Sequence, residues 1–95
     1  IIEHLGIKID QAQCNVWVED EPIQLTKSEY RLLLNFLKDP GKVFARNQLI
    51  DLIQDGPVHV TGRTIDTHIF GLRKKLLHKA DFIETVRGIG YRVKN

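Results

Sequence analysis

Thr61-Gly62-Arg63-Thr64-Ile65-Asp66-Thr67-His68-Ile69-Phe70-Gly71-Leu72-Arg73-Lys74-Lys75-Leu76-Leu77-His78-Lys79 is the stretch whose reading decides the fold. At helical period, Ile65, Ile69, Leu72 and Leu76 fall at i, i+4, i+7 and i+11 and make one narrow apolar stripe. At about 100° per residue the opposite side carries Arg63, Thr67, Phe70 and Lys74, with Thr64 and Gly71 at its edge. Asp66 is the single carboxylate in the stretch. One face can therefore seat on a core while the other offers donors and positive charge. A helix of this kind can lie in a DNA major groove, where side chains read base edges and flanking cations hold phosphates. Taken alone, the pattern equally describes the solvated basic face of a surface helix, so the flanking sequence has to decide.

Working upstream, Val43 and Phe44 lead into a short helix predicted from Arg46 to about Gln54, with Leu49, Ile50 and Ile53 as its apolar face. With Ala45 as N-cap, Phe44 and Leu49 stand at N′ and N4, the positions of a hydrophobic staple. Alanine is a poor cap, so this helix start rests on packing. Asp55-Gly56-Pro57 breaks the helix, and Asp55 to Thr61 forms a turn into the basic helix, with Thr61 or Gly62 as its cap. Further upstream, Thr26-Lys27-Ser28-Glu29 is a capping box, and Tyr30, Leu33, Leu34 and Leu37 follow at i, i+3, i+4 and i+7. Asp39-Pro40-Gly41 ends that helix, because proline disfavours helix at the residue before it.

The N-terminal part reads as strands. Leu5, Ile7 and Ile9 alternate with polar residues and glycine, then Cys14, Val16 and Val18 alternate, then Ile23 and Leu25. Glu19-Asp20-Glu21-Pro22 is a turn signal, and three short period-2 segments make a small antiparallel sheet. Cys14, in such an alternation, is expected to be a small buried hydrophobe. Trp17 falls on the face opposite Val16 and Val18. Downstream of the basic helix, Phe82 to Val86 and Tyr91 to Val93 flank Arg87-Gly88-Ile89-Gly90, a β-hairpin with Arg87 at its tip. The order is thus sheet, helix, helix, basic helix, hairpin. This is an α+β winged helix-turn-helix, in which the last hairpin is the wing.

Ninety-five residues make one small domain, 42% hydrophobic and 27% charged. No apolar run approaches the ~20 residues of a membrane span. The chain starts at Ile1, without Met or signal peptide, and is expected to be part of a longer protein. A lone cysteine leaves no internal disulfide, which fits a cytoplasmic setting. The first thirty residues hold Lys8 and Lys27 against Glu3, Asp10, Glu19, Asp20, Glu21 and Glu29, a balance of −4. With a net charge of +2, the remaining residues carry +6. That asymmetry points to a polyanion partner at the basic end. An enzyme would have to use Cys14 with His4, His59, His68 or His78, or a metal held by these and Asp66. No H-E-x-x-H, C-x-x-C or phosphate-loop motif is present. His68 and His78 on one helix would stand about 15 Å apart by axial rise. No catalytic residue, metal or cofactor is therefore expected. A protein-interaction module without DNA binding is the other alternative.

Three stretches together resemble the output domain of two-component response regulators of the OmpR/PhoB type, over nearly the whole chain. They are Leu25 to Leu33, Arg63 to Ile69 with Leu72 to Leu76, and Thr85 to Arg92. The resemblance implies a four-stranded N-terminal sheet, three helices and a C-terminal hairpin. It implies promoter binding as two copies on tandem half-sites, with the third helix in the major groove and the wing in the neighbouring minor groove. It also implies an upstream receiver domain in the full-length protein, whose phosphorylation drives pairing. RNA polymerase would be touched by Asp55, Gly56, Pro57, Val58, His59 and Val60. Where relatives often have a Ser or Thr cap, an aromatic helix end and two arginines, this chain has Ala45, Gln54, Phe70 and Gly71. These departures imply a different target sequence and fewer phosphate contacts.

The expected DNA-contacting residues are Arg63 and Thr64 at the start of the recognition helix, Thr67 toward a thymine methyl or a phosphate, and His68, which also borders the apolar stripe. Phe70 is expected against a sugar edge or a partner domain, and Gly71 where the backbone comes close to DNA. Arg73 and Lys74 are expected on phosphates, with Lys75 a lesser candidate, and Arg87 in the minor groove, whose negative potential favours arginine. Asp66 is expected to be structural, as a carboxylate in the first helical turn.

Overall fold

A computed structural model describes residues 1–54 and 62–95. Four short strands come first: β1 (Ile2–His4), β2 (Ile7–Asp10), β3 (Asn15–Val18) and β4 (Glu21–Ile23). They form an antiparallel sheet in sequential order. Its register pairs Ile7 with Val18 and Ile9 with Val16, so these four side chains share the buried face. On the other face Lys8 stands opposite Trp17, with its Nζ 5.0 Å from the ring centroid. Trp17 is thus half-buried under a lysine stem on the outer side of the sheet.

The strand predicted from Leu5 to Ile9 is broken at Leu5-Gly6, where both residues have positive φ (50° and 88°). Glu19-Asp20 do the same (48° and 69°). Two consecutive left-handed residues make the turn that matches strand twist in two-residue hairpins. The two turns are themselves joined, Glu19 N–H donating to Gly6 O at 2.7 Å. Cys14 is not a core residue as the alternation suggested. It lies in the turn before β3 with φ 55°, exposed.

Helix α1 (Lys27–Lys38) starts at the predicted capping box. Thr26 Oγ1 accepts from Glu29 N–H at 3.2 Å, and Glu29 Oε1 accepts from Thr26 N–H at 2.9 Å. It buries Leu32, Leu33, Phe36 and Leu37, whereas Tyr30 and Leu34 are only partly buried. The buried face is broader than the predicted stripe because α1 packs on β1, α2, α3 and β7 together. A two-residue strand, β5 (Phe44–Ala45), then pairs with the end of the chain and leads directly into α2 (Arg46–Ile53). Ala45 is the N-cap and offers no side-chain oxygen; only the reciprocal arm forms, Gln48 Oε1 accepting from Ala45 N–H at 2.8 Å. Phe44 meets Phe36 edge to face at 5.5 Å, so packing does secure this start.

The predicted turn from Asp55 to Thr61, with all six residues assigned to an RNA polymerase contact, lies outside the described residues. Helix α3 (Gly62–Lys75) carries the stripe as read: Ile65, Ile69 and Leu72 are buried, as is Leu76 one residue past its end. It stops before Lys79, because Leu77 turns left-handed (φ 55°) and a 3₁₀ segment (Leu77–Phe82) follows. Phe82 is therefore the buried end of that segment and not the first strand residue. Strands β6 (Ile83–Val86) and β7 (Gly90–Val93) complete a second sheet in the order β5-β7-β6. Gly90 is required where β5 crosses β7: a Cβ there would sit 1.9 Å from Phe44 O.

Candidate nucleic-acid interface

The stripe divides α3 into a seated face and an outward one. Arg63, Thr67, Phe70 and Lys74 are exposed, Thr64 and His68 border the core, and the stripe residues are fully buried. Each large aliphatic in the stripe contributes about 1.5–3 kcal/mol by leaving water. That is ample to hold the helix while its other face stays in solvent. Among the described residues Arg63 and Arg87 make no ion pair, whereas Lys74 Nζ lies 5.5 Å from the Phe70 ring centroid.

The other cations of this region are engaged. Arg73 Nε and Nη2 donate to Ile83 O at 3.2 and 2.7 Å, and Nη2 donates to Thr85 Oγ1 at 2.9 Å. Its guanidinium also stacks 5.5 Å from the Tyr91 ring centroid. Arg73 thus grips both strands of the hairpin from α3. Lys75 Nζ donates to Glu29 Oε1 at 2.5 Å, tying the end of α3 to the capping box of α1. Arg92 pairs with Glu84 across the hairpin at 3.0 Å.

Asp66 is structural, but for a reason other than the helix dipole. The helix begins at Gly62, so Asp66 lies beyond the first turn. Its Oδ1 accepts from Tyr91 Oη at 2.6 Å and from Arg46 Nε at 2.8 Å, joining α3 to β7 and α2. The Tyr91 hydrogen bond, then the Arg46 one, hold its carboxyl below the ordinary range. Burial, then the carboxylate beside it, push the Tyr91 phenol up. Gly71 also has a packing role inside the domain. The close approach there is to Glu29, whose Oε2 would lie 2.6 Å from a Cβ at this position. The missing side chain makes room for a buried carboxylate of α1, and no external backbone is needed to explain it. Burial opposes the charge on Glu29, but the hydrogen bonds from Lys75 and Thr26 outweigh it and its pKa is lowered.

At the tip of the hairpin, Ile89 N–H donates to Val86 O at 2.9 Å and Gly88 has φ +78°. With Arg87 on the ordinary side of φ, this is the type II pattern, which demands glycine at its third position. The turn leaves Arg87 exposed at the apex. Sequence reasoning therefore placed Arg63, Thr67, Phe70, Lys74 and Arg87 on open surface, and missed the Arg46–Asp66–Tyr91 and Arg73–Thr85 links. The lone carboxylate in an otherwise basic helix was the available sign of the first.

Residues 20–93 match the family described as transcriptional regulatory protein, C terminal. The chain belongs to this family. Within it the fold is the winged-helix output domain of OmpR/PhoB type, a regulator domain and not an enzyme class. The chain is 37% identical over 91 residues to the transcriptional regulatory protein QseB of Haemophilus influenzae, covering 96% of this chain and 40% of that protein. It is 36% identical over 94 residues to the phosphate regulon transcriptional regulatory protein PhoB of Escherichia coli K12, covering 97% and 41%. The chain thus spans about two fifths of the length of these relatives. Among solved structures, the DNA-binding domain of response regulator AdeR in complex with an intercistronic region superposes with a TM-score of 0.87 at 33% identity, covering 98% of both chains. The Klebsiella pneumoniae RstA DNA-binding domain in complex with the RstA box gives 0.83 at 28% identity, covering 98% of this chain and 95% of that one. No helix among the described residues is long and apolar enough to cross a membrane.

Proposed function

We propose that this winged helix is the DNA-binding output domain of a response regulator that controls transcription at specific duplex sites in the cytoplasm. The observation that carries this reading is α3: a buried stripe seats it, and Arg63, Thr67, Phe70 and Lys74 are left facing solvent beside a wing tipped by Arg87. The AdeR and RstA domains, similar along their whole length, are bound to DNA in their structures. In this reading α3 lies in the major groove with Arg63 and Thr64 near base edges, His68 at the groove margin, and Lys74 on a phosphate. Arg87 enters the adjacent minor groove. Arg73 sets the spacing between the two by holding β6 and β7 against α3, and Gly71 serves the packing of α1 and not the groove.

A receiver domain in the full-length chain, pairing of two copies on tandem half-sites, and contact of residues 55–60 with RNA polymerase complete the proposal. The test is selection from random duplex DNA, followed by binding of the recovered site at two salt concentrations. A recurring motif whose affinity falls steeply with salt, through counterion release, is the expected outcome. Absence of any recovered motif, with salt-insensitive binding to protein partners instead, would sink the DNA reading.

A further inference from the structure

We infer that Thr67 and Phe70 make α3 a reader of thymine methyl groups, a specificity that rests on the DNA-binding reading above. Thr67 Oγ1 donates to Arg63 O at 3.2 Å, one helical turn back. The hydroxyl proton is thereby spent on the helix itself, so this exposed side chain has no donor left for a base acceptor and presents its γ-methyl and the hydroxyl lone pairs outward. Phe70, three residues on and so on the same face, is 64% exposed. Among the described residues the other exposed large apolar side chains, Ile1, Leu5, Leu77 and Ile89, lie at the first residue, in turns or where a helix ends. Phe70 instead sits in the middle of a helix whose opposite face is fully packed.

A phenyl ring has no donor or acceptor for a base edge. In the major groove the apolar feature it can meet is the C5-methyl of thymine, which only T·A and A·T pairs present. Arg63 and Lys74 flank the two side chains on that face, so the apolar patch is bracketed by cations. A polyanion that carries apolar methyl groups on its groove floor fits cation, methyl, phenyl, cation in this order. The half-site is expected to hold neighbouring thymines under the centre of α3.

The experiment uses the 95-residue chain and the duplex recovered by selection, with each thymine replaced in turn by deoxyuridine, which lacks only the methyl. Loss of one buried methyl-sized group is worth ~0.8 kcal/mol, or about fourfold in affinity. Uracil at one position should weaken the unmodified protein about fourfold and make no difference to Phe70→Ala. At a neighbouring position the penalty should vanish in Thr67→Ser and persist in Thr67→Val, which keeps the methyl. Both sites are exposed, so every variant should remain folded with only a small shift in melting temperature. The inference is overturned if every uracil duplex binds like its parent, or if the uracil penalties survive in Phe70→Ala and Thr67→Ser. A Phe70→Ala loss that is equal for thymine and uracil would place the ring on the sugar instead. Failure to recover any site would overturn the DNA reading itself, and this one with it.

Discussion

The two halves of α3 carry unequal charge, Arg63 against Asp66 in the first and Arg73, Lys74 and Lys75 in the second, and do different things with it. In the first half Arg63 projects into solvent, with no ion pair among the described residues. In the second half Arg73 is forked onto Ile83 O and Thr85, and Lys75 is bound to Glu29. Lys74, between them in sequence, points outward over Phe70. A count of cations treats all four alike. The partner atoms separate them, and show that part of the positive charge of the helix is invested in holding the wing and α1 in place.

That contrast can be broken first at its common base. Leu72, on the stripe that seats the helix, is fully buried. Leu72→Ala should cost about 2–5 kcal/mol in denaturant unfolding; a cost near zero would mean that the stripe does not seat the helix. The free half is tested by Arg63→Ala. Affinity for the selected site should fall by about 1–3 kcal/mol with specificity relaxed at one base pair. Unfolding free energy should stay within about 0.5 kcal/mol. The tethered half is tested by Arg73→Lys, which keeps the charge and removes the fork. Stability should fall by about 1 kcal/mol, with the salt slope of DNA binding unchanged. If the variant is as stable as the parent and only the slope flattens, Arg73 is a phosphate ligand after all.

Two smaller effects sharpen the α1 tie. Gly71→Ala improves helix propensity by ~1 kcal/mol, yet its methyl would press on the Glu29 carboxylate. It should destabilise the protein as it stands and stabilise it in a Glu29→Ala background, measured as a double-mutant cycle in thermal melts. The same carboxylate gives a pH signature. Its folded pKa lies below the ordinary 4.5, so its contribution is fully present above that value and is lost as pH falls through the folded pKa. Glu29→Gln should lower stability near neutrality and flatten the acid side of the profile, so that variant and parent converge as pH falls through the folded pKa.

Local signals carried most of the fold. The stripe of α3, the Thr26–Glu29 capping box and the glycine-tipped hairpin each depend on spacings of a few residues, and each stands where the periodicity put it. What stayed illegible depends on distance along the chain. Lys75 meets Glu29 across 46 positions, and Tyr91 meets Asp66 across 25. Nothing local to Arg73 distinguishes a cation that faces a groove from one that reaches Ile83 O. β5 escaped notice because two residues have no period, and its existence is written only in Gly90, on another strand. Leu5 and Cys14 fell the other way: alternation ran through turns whose left-handed backbone neither residue advertises.

His4 Nε2 lies 2.7 Å from Lys94 O. Lys94 N–H in turn donates to Phe82 O, and Val93, the last residue of β7, accepts from Gly41 N–H. The first strand and the last thus meet at one corner, although 90 positions separate the bonded residues. Mechanically, that corner is a short circuit. A force applied through residue 1 reaches the strand that carries the wing across a single hydrogen bond, without first being transmitted through α1, α2 or α3.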